Sequence, residues 1–359
     1  MSFTAKSMKL TVARISGPAE AGSAHGIIEK MAPLAIGDVS GVKDEPKYGF
    51  AGWRHMQAPV NETECIVGGH LRFQMVKASR SVPASILKDE CKRAELAFCQ
   101  ANNMDRCPSK ERKRIKADTR ERLLMSFVPV LKGTEVAIDM ASRNVFIEST
   151  SVKEIDSLVA LFHKATDSEI VPAPLDMLKA IRNNSVYGLI INGIASESSN
   201  ATFSDFLTWL WFLSEENGGN VENSGYESMV EGPLTMRSGV SEPTGAMLAK
   251  LSSGGLPQVS SEAKAALLIG KKLVKCRLVI AKDKQVWDGK FDSDTMSFSG
   301  LHLPEGEAMT NEDRFVEVIE SLNTIANVIQ MYFDKFIEDA GDDELDKAID
   351  KWAKERKAL

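Results

Sequence analysis

The sequence lacks the features that mark membrane and secreted proteins. It has no run of 18 apolar residues, which a membrane-spanning helix would need. Residues 1–18 show no signal-peptide layout of a basic stretch followed by an apolar one. The five cysteines form no CxxC pair, and their odd number favours reduced cytosolic thiols over a disulfide framework. We therefore expect a cytoplasmic protein without a membrane segment.

The sequence is equally poor in metal and cofactor motifs. It contains no P-loop, GxGxxG, GxSxG or HExxH pattern, and no two of its five histidines are four residues apart. Cys91, Cys99 and Cys107 are spaced eight residues apart. This spacing is near a helical repeat and suits small buried positions better than metal ligands. We expect no metal and no other cofactor.

One pair of carboxylates resembles part of a metal-dependent nuclease site. Asp139 lies nine residues before Glu148 on strands that are predicted to pair. In such nucleases two carboxylates bind a cation and a nearby lysine orients water, but here Thr150 occupies the lysine position. The pattern therefore favours ordinary carboxylates at strand ends. A metal-dependent exonuclease acting on DNA stays as an alternative.

What the chain does have is an uneven distribution of charge. Its net charge is −6, yet residues 72–132 contain 15 Lys or Arg and 7 Asp or Glu, a net +8, so the remainder carries −14. Between Arg182 and Arg237 there is no Lys or Arg, whereas seven acidic residues occur. Such polarisation is typical of a protein with one surface facing a polyanion, for which DNA is the default.

Two helices are predicted within the basic segment. The first begins at Pro83 and has an apolar stripe typical of one buried face: Leu87, Cys91, Ala94 and Phe98. The second runs from Ser109, a predicted N-cap, to about Phe127, and its apolar stripe is thin. Residues 84–127 are thus predicted to form a helical hairpin with one packed arm and one basic arm. One face of the basic arm contains Lys113, Lys116 and Arg120.

A basic helix face has two explanations that the sequence leaves open. It can be a solvated face whose acidic residues form i,i+4 pairs with the cations, or it can contact DNA or RNA. No aromatic residue interrupts the run 106–122, which disfavours stacking on single strands and favours contact with duplex phosphates. Trp209 and Trp211 lie in the least basic part of the chain, so we expect them in a core or an interface.

The order of predicted elements indicates an α+β fold with mixed or antiparallel sheets, not a regular βαβ alternation. Its distinctive parts are the long basic helical hairpin, a meander at 274–301 and a C-terminal helix at 311–337. Strands are also predicted at 8–16, 64–77, 135–138, 144–148 and 186–192, with loops at 36–62 and 214–232. The chain is predicted to divide into four parts: an N-terminal α+β region (1–193), a divergent acidic and Gly/Ser-rich insertion (194–259), a helix–meander–helix region (260–338) and a charged tail (339–359). A solvated helix is one interpretation of the tail.

Several short blocks share their order and spacing with one known family. They are Gly49–Trp53 (GFAGW), the Gly69–Lys77 strand, Val82–Lys88 (VPASILK), Leu123–Pro129 (LLMSFVP), Val136–Asp139 (VAID), Val145–Glu148 (VFIE), Gly270–Lys275 (GKKLVK), Leu278–Ile280 and the Arg314-Phe315 helix. With these blocks the chain resembles the bacterial RdgC family of recombination-associated DNA-binding proteins, as a divergent or phage-borne member. The resemblance covers about 8–180 and 255–338. The stretch 195–250 has no counterpart, and 338–359 is an extension.

The resemblance implies a ring-shaped homodimer whose basic lumen encircles double-stranded DNA. It implies sequence-independent, non-catalytic binding in the nucleoid, and modulation of homologous recombination by limiting the access of a RecA-type recombinase to DNA. The family is also labelled an exonuclease, which the absent motifs do not support here. A third possibility, a protein-interaction module of a phage or host recombination system, fits the acidic region 195–232 and the charged tail.

The expected DNA contacts follow from where this chain departs from the family. After the Leu-Pro segment the family has basic and aromatic residues implicated in gripping DNA, but the matching stretch Val130–Gly133 has only Lys132. The second family contact region falls near Gly254–Gln258, which has no Lys. We therefore expect the DNA-binding charge to come from nine residues: Lys77, Arg80, Arg106, Lys110, Arg112, Lys113, Lys116, Arg120 and Lys132.

Overall fold

The computed structural model describes residue 3 and residues 6–18, 22–194, 200–221, 224–238, 248–251 and 260–355, with backbone alone at 248–251. These residues form a mixed α/β fold with a large antiparallel sheet and ten α-helices. The chain divides into two compact units: unit 1 is Met1–Ala24, Ile66–Arg72 and Glu135–Leu359, and unit 2 is His25–Cys65 and Phe73–Thr134. None of the helices in the described part of the chain could serve as a membrane span.

The elements are numbered in chain order. The strands are β1 Met8–Ser16, β2 Lys47–Gly52, β3 Ile66–Val67, β4 His70–Ser79, β5 Val130–Ile138, β6 Asn144–Ile147, β7 Glu169–Pro172, β8 Glu227–Ser238, β9 Leu248–Leu251, β10 Lys271–Lys282, β11 Gln285–Asp292 and β12 Ser297–His302. The helices are α1 Ala24–Met31, α2 Glu62–Cys65, α3 Ala84–Ala101, α4 Ser109–Leu124, α5 Val152–Thr166, α6 Ala173–Asn183, α7 Phe203–Asn217, α8 Ser261–Leu268, α9 Asn311–Asp339 and α10 Asp343–Glu355. A short 3-10 turn, Ala32–Leu34, follows α1.

Unit 1 contains most of the antiparallel sheet. Its strands follow the order β6-β1-β12-β11-β10-β8-β9, and β7 also pairs with β1. Along β10, side chains alternate between exposed and buried, as expected for a strand with one covered face. Lys275 and Arg277 are exposed, whereas Cys276, Leu278 and Ile280 are buried. β8 pairs with β10 along most of its length, with Val230 opposite Leu278. The region 194–259 therefore contributes two strands to the sheet.

Helices α7, α9 and α10 of unit 1 share an aromatic core. Trp209 and Trp211 on α7 are fully buried, which agrees with the expectation that they belong to a core. The indole nitrogens of Trp211 and Trp352 both donate to the carboxylate of Glu215, at 2.7 Å and 2.8 Å. The helix α10, which carries Trp352, lies in the charged tail, where the sequence analysis considered a solvated helix. Its inner face is nevertheless buried at Ile349, Trp352 and Ala353.

A buried ion pair links α7 to β10 in the same unit. Lys272 is 2% exposed and Asp205 is fully buried. The ammonium of Lys272 contacts the Asp205 carboxylate and donates to the Leu189 carbonyl at 2.8 Å. The other oxygen of Asp205 accepts from the backbone N–H of Thr202 at 2.8 Å. Since both charges have hydrogen-bonding partners, their burial is tolerated.

Unit 2 is built on β2, on β4 from Phe73 onward and on the first half of β5. β2 pairs with β4 in antiparallel register, with Tyr48 opposite Lys77. The sequence predicted a structured loop at 36–62, but its GFAGW block contains a strand. That strand lies against the segment after α1, where the Ile36 N–H donates to the Phe50 carbonyl at 2.8 Å. A side chain at Gly49 would place its Cβ 2.5 Å from the Ile36 Cα, so glycine permits this close approach.

The helices α3 and α4 correspond to the two predicted arms of the basic segment. α3 follows Pro83 directly, as predicted, whereas Pro108 and not Ser109 occupies the N-cap position of α4. Only Cys91 is buried on α3, so this helix is less packed than its apolar stripe suggested. On α4, three residues are buried: Ile115, Thr119 and Leu124.

Candidate nucleic-acid interface

The surface of α4 concentrates positive charge within unit 2. The helix contains seven Lys or Arg and three Asp or Glu. Ile115 and Thr119 are its buried positions in the middle of the helix, which turns the opposite side towards solvent. At 100° per residue, the exposed Lys113, Lys116 and Arg120 lie within an arc of about 60°. The sequence predicted this face, and the helix boundaries and burial are compatible with it.

Four cations on or before α4 have no acidic partner among the described residues. They are exposed, and no hydrogen bond or ion pair of their side chains is found: Arg106, Lys110, Lys113 and Lys116. An exposed ammonium or guanidinium without a carboxylate partner keeps its full charge for an external anion. These four residues are therefore the most accessible uncompensated charges of the predicted set.

The arginines of α4 are instead paired with carboxylates. Two pairs link α4 to α3: Arg112 Nε lies 3.3 Å from Glu95 Oε2, and Arg122 Nη2 lies 3.0 Å from Glu90 Oε2. Arg120 Nη2 lies 2.7 Å from Asp44 Oδ1. All three arginines are about half exposed or more, so each pair contributes little to stability. The three guanidinium groups therefore lie beside carboxylates at the protein surface, in contact with solvent.

Arg80 has a different environment from the other predicted residues. It is 7% exposed, and its guanidinium donates to the Ser40 carbonyl at 2.7 Å and to the Met125 sulfur at 3.0 Å. It thereby ties the end of β4 to two distant segments of unit 2. In this conformation the Arg80 guanidinium is used for contacts inside unit 2.

Lys77 and Lys132 lie on strands and not on the basic helix. Lys77, on β4, is half-buried, and its ammonium lies 5.7 Å from the centre of the Tyr48 ring, within range of a cation–π interaction. Lys132, on β5, is exposed but has an interaction with other groups of the protein. The structure thus places six of the nine predicted residues on α4 or in the turn before it, and three on or next to strands.

Sequence reasoning missed other exposed groups of the same unit. Arg114, on α4, is exposed and pairs with Glu111 at 3.1 Å, and Lys88 and Lys92 on α3 are also exposed. Their charge was visible in the sequence, but the predicted face of α4 did not include them. Several large apolar side chains are exposed as well: Ile86, Leu96, Met104, Met125, Val128 and Val130.

The nuclease-like carboxylate Asp139 holds a turn in unit 1. It is 7% exposed and accepts hydrogen bonds from the Ala141 N–H at 3.0 Å, the Ser142 hydroxyl at 2.7 Å and the Asn323 amide at 2.8 Å. Burial alone would raise the pKa of Asp139, but these hydrogen bonds outweigh it and hold the pKa below its ordinary value. In the described part of the chain, no group of three or more His, Cys, Asp and Glu side chains is placed to hold a metal ion.

Comparison with known proteins agrees with the family resemblance. The family model described as "Putative exonuclease, RdgC" matches residues 10–183. The matched range includes β1 from Leu10 onward, the whole of unit 2 with the basic helix α4, and the chain as far as the end of α6. A search of curated proteins finds no match. The match over residues 10–183 supports membership of the RdgC family.

Proposed function

We propose that this protein binds double-stranded DNA without sequence preference and without catalysis, and that it modulates homologous recombination by limiting the access of a recombinase to DNA. Membership of the RdgC family suggests a DNA-associated role. The observation that carries the proposal is the solvent-facing side of α4, where Lys110, Lys113 and Lys116 have no acidic partner among the described residues. Lysines of this kind bind phosphates and carry no sequence information.

The length and composition of α4 favour a duplex over a single strand. Its 16 residues span about 24 Å, which corresponds to about seven base pairs at 3.4 Å each. Recognition of single strands combines charge with aromatic side chains on which bases stack. No aromatic residue lies on α4. A cationic helix without stacking groups is suited to the regular phosphate spacing of a duplex.

The proposal includes a ring-shaped homodimer around the duplex, as the resemblance to the family implies. Two copies of α4 would double the number of phosphate contacts and therefore the salt dependence of binding. Measurement of the mass in solution tests this part separately. A dimer supports it, and a monomer at micromolar concentration in the presence of a DNA duplex refutes it.

The test of DNA binding is neutralisation of the three lysines. In the variant Lys110→Gln/Lys113→Gln/Lys116→Gln, three phosphate contacts per chain are lost, so the slope of log affinity against log salt becomes shallower by about 2.7 per chain. The corresponding loss of affinity at 0.15 M salt is on the order of 100-fold. Fluorescence anisotropy with random-sequence duplexes at several salt concentrations measures both quantities.

A matched control removes the same charge elsewhere. Lys153, Lys284 and Lys290 are exposed residues of unit 1, and their triple replacement by Gln has the same effect on net charge. We expect this control to bind within about threefold of wild type, because long-range electrostatics is screened at 0.15 M salt. Equal slopes for wild type and the α4 variant would refute the assignment of the interface to α4.

The non-catalytic part of the proposal has its own assay. Labelled linear duplex incubated with the protein and Mg²⁺ should remain intact, because the carboxylate of Asp139 is occupied by three hydrogen bonds from its own turn and from α9. Degradation that requires Mg²⁺ and disappears in Asp139→Asn would overturn this part and favour the exonuclease alternative.

A further inference from the structure

Two thiols flank the turn between α3 and α4. Cys99 lies in the last turn of α3, and Cys107 lies two residues before α4 begins. Both are free thiols; Cys107 is buried and Cys99 is half-buried. Neither takes part in the proposed DNA contact.

The side chain of Arg112 places Cys107 beside one face of α3. Its guanidinium lies 3.3 Å from Glu95 Oε2 and donates to the Cys107 carbonyl at 3.4 Å. Glu95 and Cys99 are four residues apart on α3 and therefore share a face. The pair Arg122–Glu90, further from the turn, shows that α3 and α4 run antiparallel. This register brings Cys99 and Cys107 opposite each other at the turn that joins α3 to α4.

The electrostatics of Cys107 agrees with that placement. Burial raises the pKa of the Cys107 thiol, and the neighbouring Cys99 and Glu95 raise it further. A thiol that is affected by both groups lies near the face of α3 that carries them. Cys107 is therefore less reactive than an ordinary thiol towards external reagents, whereas Cys99 is the more accessible of the two.

Another cysteine of the same helix is a poor competitor. Cys91 precedes Cys99 by eight residues, so the two are about 12 Å apart along the helix axis. This distance is well beyond the 4.4–6.8 Å between Cα atoms that a disulfide requires. Cys91 also lies about two helical turns further than Cys99 from the end of α3, where Cys107 follows. The turn geometry thus selects Cys99 with Cys107.

We propose that Cys99 and Cys107 are a modification site that forms a reversible intramolecular disulfide with glutathione disulfide as oxidant. The Cys99 thiolate attacks one sulfur of glutathione disulfide, which forms a mixed disulfide and releases one glutathione thiolate. Cys107 then loses its proton to solvent and attacks the Cys99 sulfur, which releases the second glutathione. Two protein thiols are oxidised to one disulfide, and one glutathione disulfide is reduced to two glutathiones. Formation of the disulfide does not require bound DNA.

The test follows the link directly in the full-length protein. After incubation with glutathione disulfide at pH 8 and alkylation of remaining thiols, digestion with trypsin in denaturant without reductant should release peptide 94–106 linked to peptide 107–110. Reduction should separate the two peptides. Cys91→Ser, the matched control, should form the link to within twofold of wild type, and Cys99→Ser and Cys107→Ser should not form it.

Two outcomes would overturn the proposal. One is stable attachment of glutathione to Cys99 in wild type without the internal link, which would show that Cys107 does not reach it. The other is a link that joins Cys91 to either thiol. Both are read in the wild-type protein, so neither depends on the folding of a variant.

Discussion

Replacement of Gly49 by alanine tests the packing on which unit 2 depends. Gly49 lies in β2, and an added Cβ would sit 2.5 Å from the Ile36 Cα and 2.6 Å from the Ile36 nitrogen. Carbon atoms in contact normally lie about 3.5–4.0 Å apart. The backbone at Ile36 would therefore have to move by about 1 Å, and backbone cannot rotate away as a flexible side chain can.

The expected cost is a moderate loss of stability. Overpacking of this kind costs about 1–3 kcal/mol, and the lower conformational entropy of alanine in the unfolded chain returns about 0.4–1 kcal/mol. The movement also strains the hydrogen bond from the Ile36 N–H to the Phe50 carbonyl. That bond joins β2 to a buried cluster of unit 2: Ile36, Val42, Ala51, Val76 and Ala78.

Urea unfolding and hydrogen exchange of residues 36–52 measure the effect. Gly49→Ala should lower the unfolding midpoint and speed the exchange of this segment. Gly41→Ala is the matched control, because a Cβ there meets nothing within 4 Å and its φ is not in the left-handed region. It should raise stability by up to about 1 kcal/mol or leave it unchanged, because alanine lowers the entropy of the unfolded chain and meets no clash. If Gly49→Ala matched this control, the close approach of β2 to Ile36 would be refuted.

Three further outcomes are expected in unfolding experiments. Arg80→Met should destabilise unit 2 by about 1–3 kcal/mol, because the Ser40 carbonyl loses a charged donor; an unchanged urea midpoint would contradict this. Lys272→Met should cost about 3–5 kcal/mol and adding Asp205→Asn should recover part of it, as a double-mutant cycle would measure. Since the pKa of Asp139 is lowered from 3.8, its contribution to stability is present above that pH and is lost as the pH falls through its folded value. The cost of Asp139→Asn should therefore be largest at neutral pH and shrink below pH 3.8.

Local patterns made several elements predictable. The alternation along 8–16 predicted β1 with its observed bounds, and the apolar repeat at 311–337 predicted α9 to within two residues. The signal for a packed α10 was also present, because Ile349, Trp352 and Ala353 follow helical spacing. The many charged residues around these three favoured a solvated helix instead of a packed one.

Other elements depend on partners that are distant in sequence. The first half of β8 lies in the segment 214–232, which was predicted as a loop, and β8 contains two glutamates and Gly232-Pro233. It forms a strand because β10 pairs with it. The segment 186–192, predicted as a strand, makes only isolated bridges at Tyr187 and Ile191 in the described structure. The composition of these two segments does not indicate which one forms a paired strand and which one makes only isolated bridges, since tertiary pairing decides both.

The candidate site also combines features that the local sequence predicts with features that depend on distant partners. The charge of α4 and its exposed face were readable from the sequence, because helical spacing fixes which residues share a face. The burial of Arg80 was not, since its partners Ser40 and Met125 are about 40 residues away on either side. The pairing of Arg112, Arg120 and Arg122 also depends on carboxylates outside α4.

The arginine–carboxylate pairs of α4 affect how many phosphate contacts a salt titration would detect. A lysine without a partner that meets a phosphate displaces a counterion from DNA, and each such event steepens the salt dependence. When Arg112, Arg120 or Arg122 turns to a phosphate, it leaves behind Glu95, Asp44 or Glu90. The abandoned carboxylate takes up a cation from solution, which offsets the one released. The salt slope would thus report the lysines and miss the arginines, so the true number of phosphate contacts would exceed the number inferred from titration with salt.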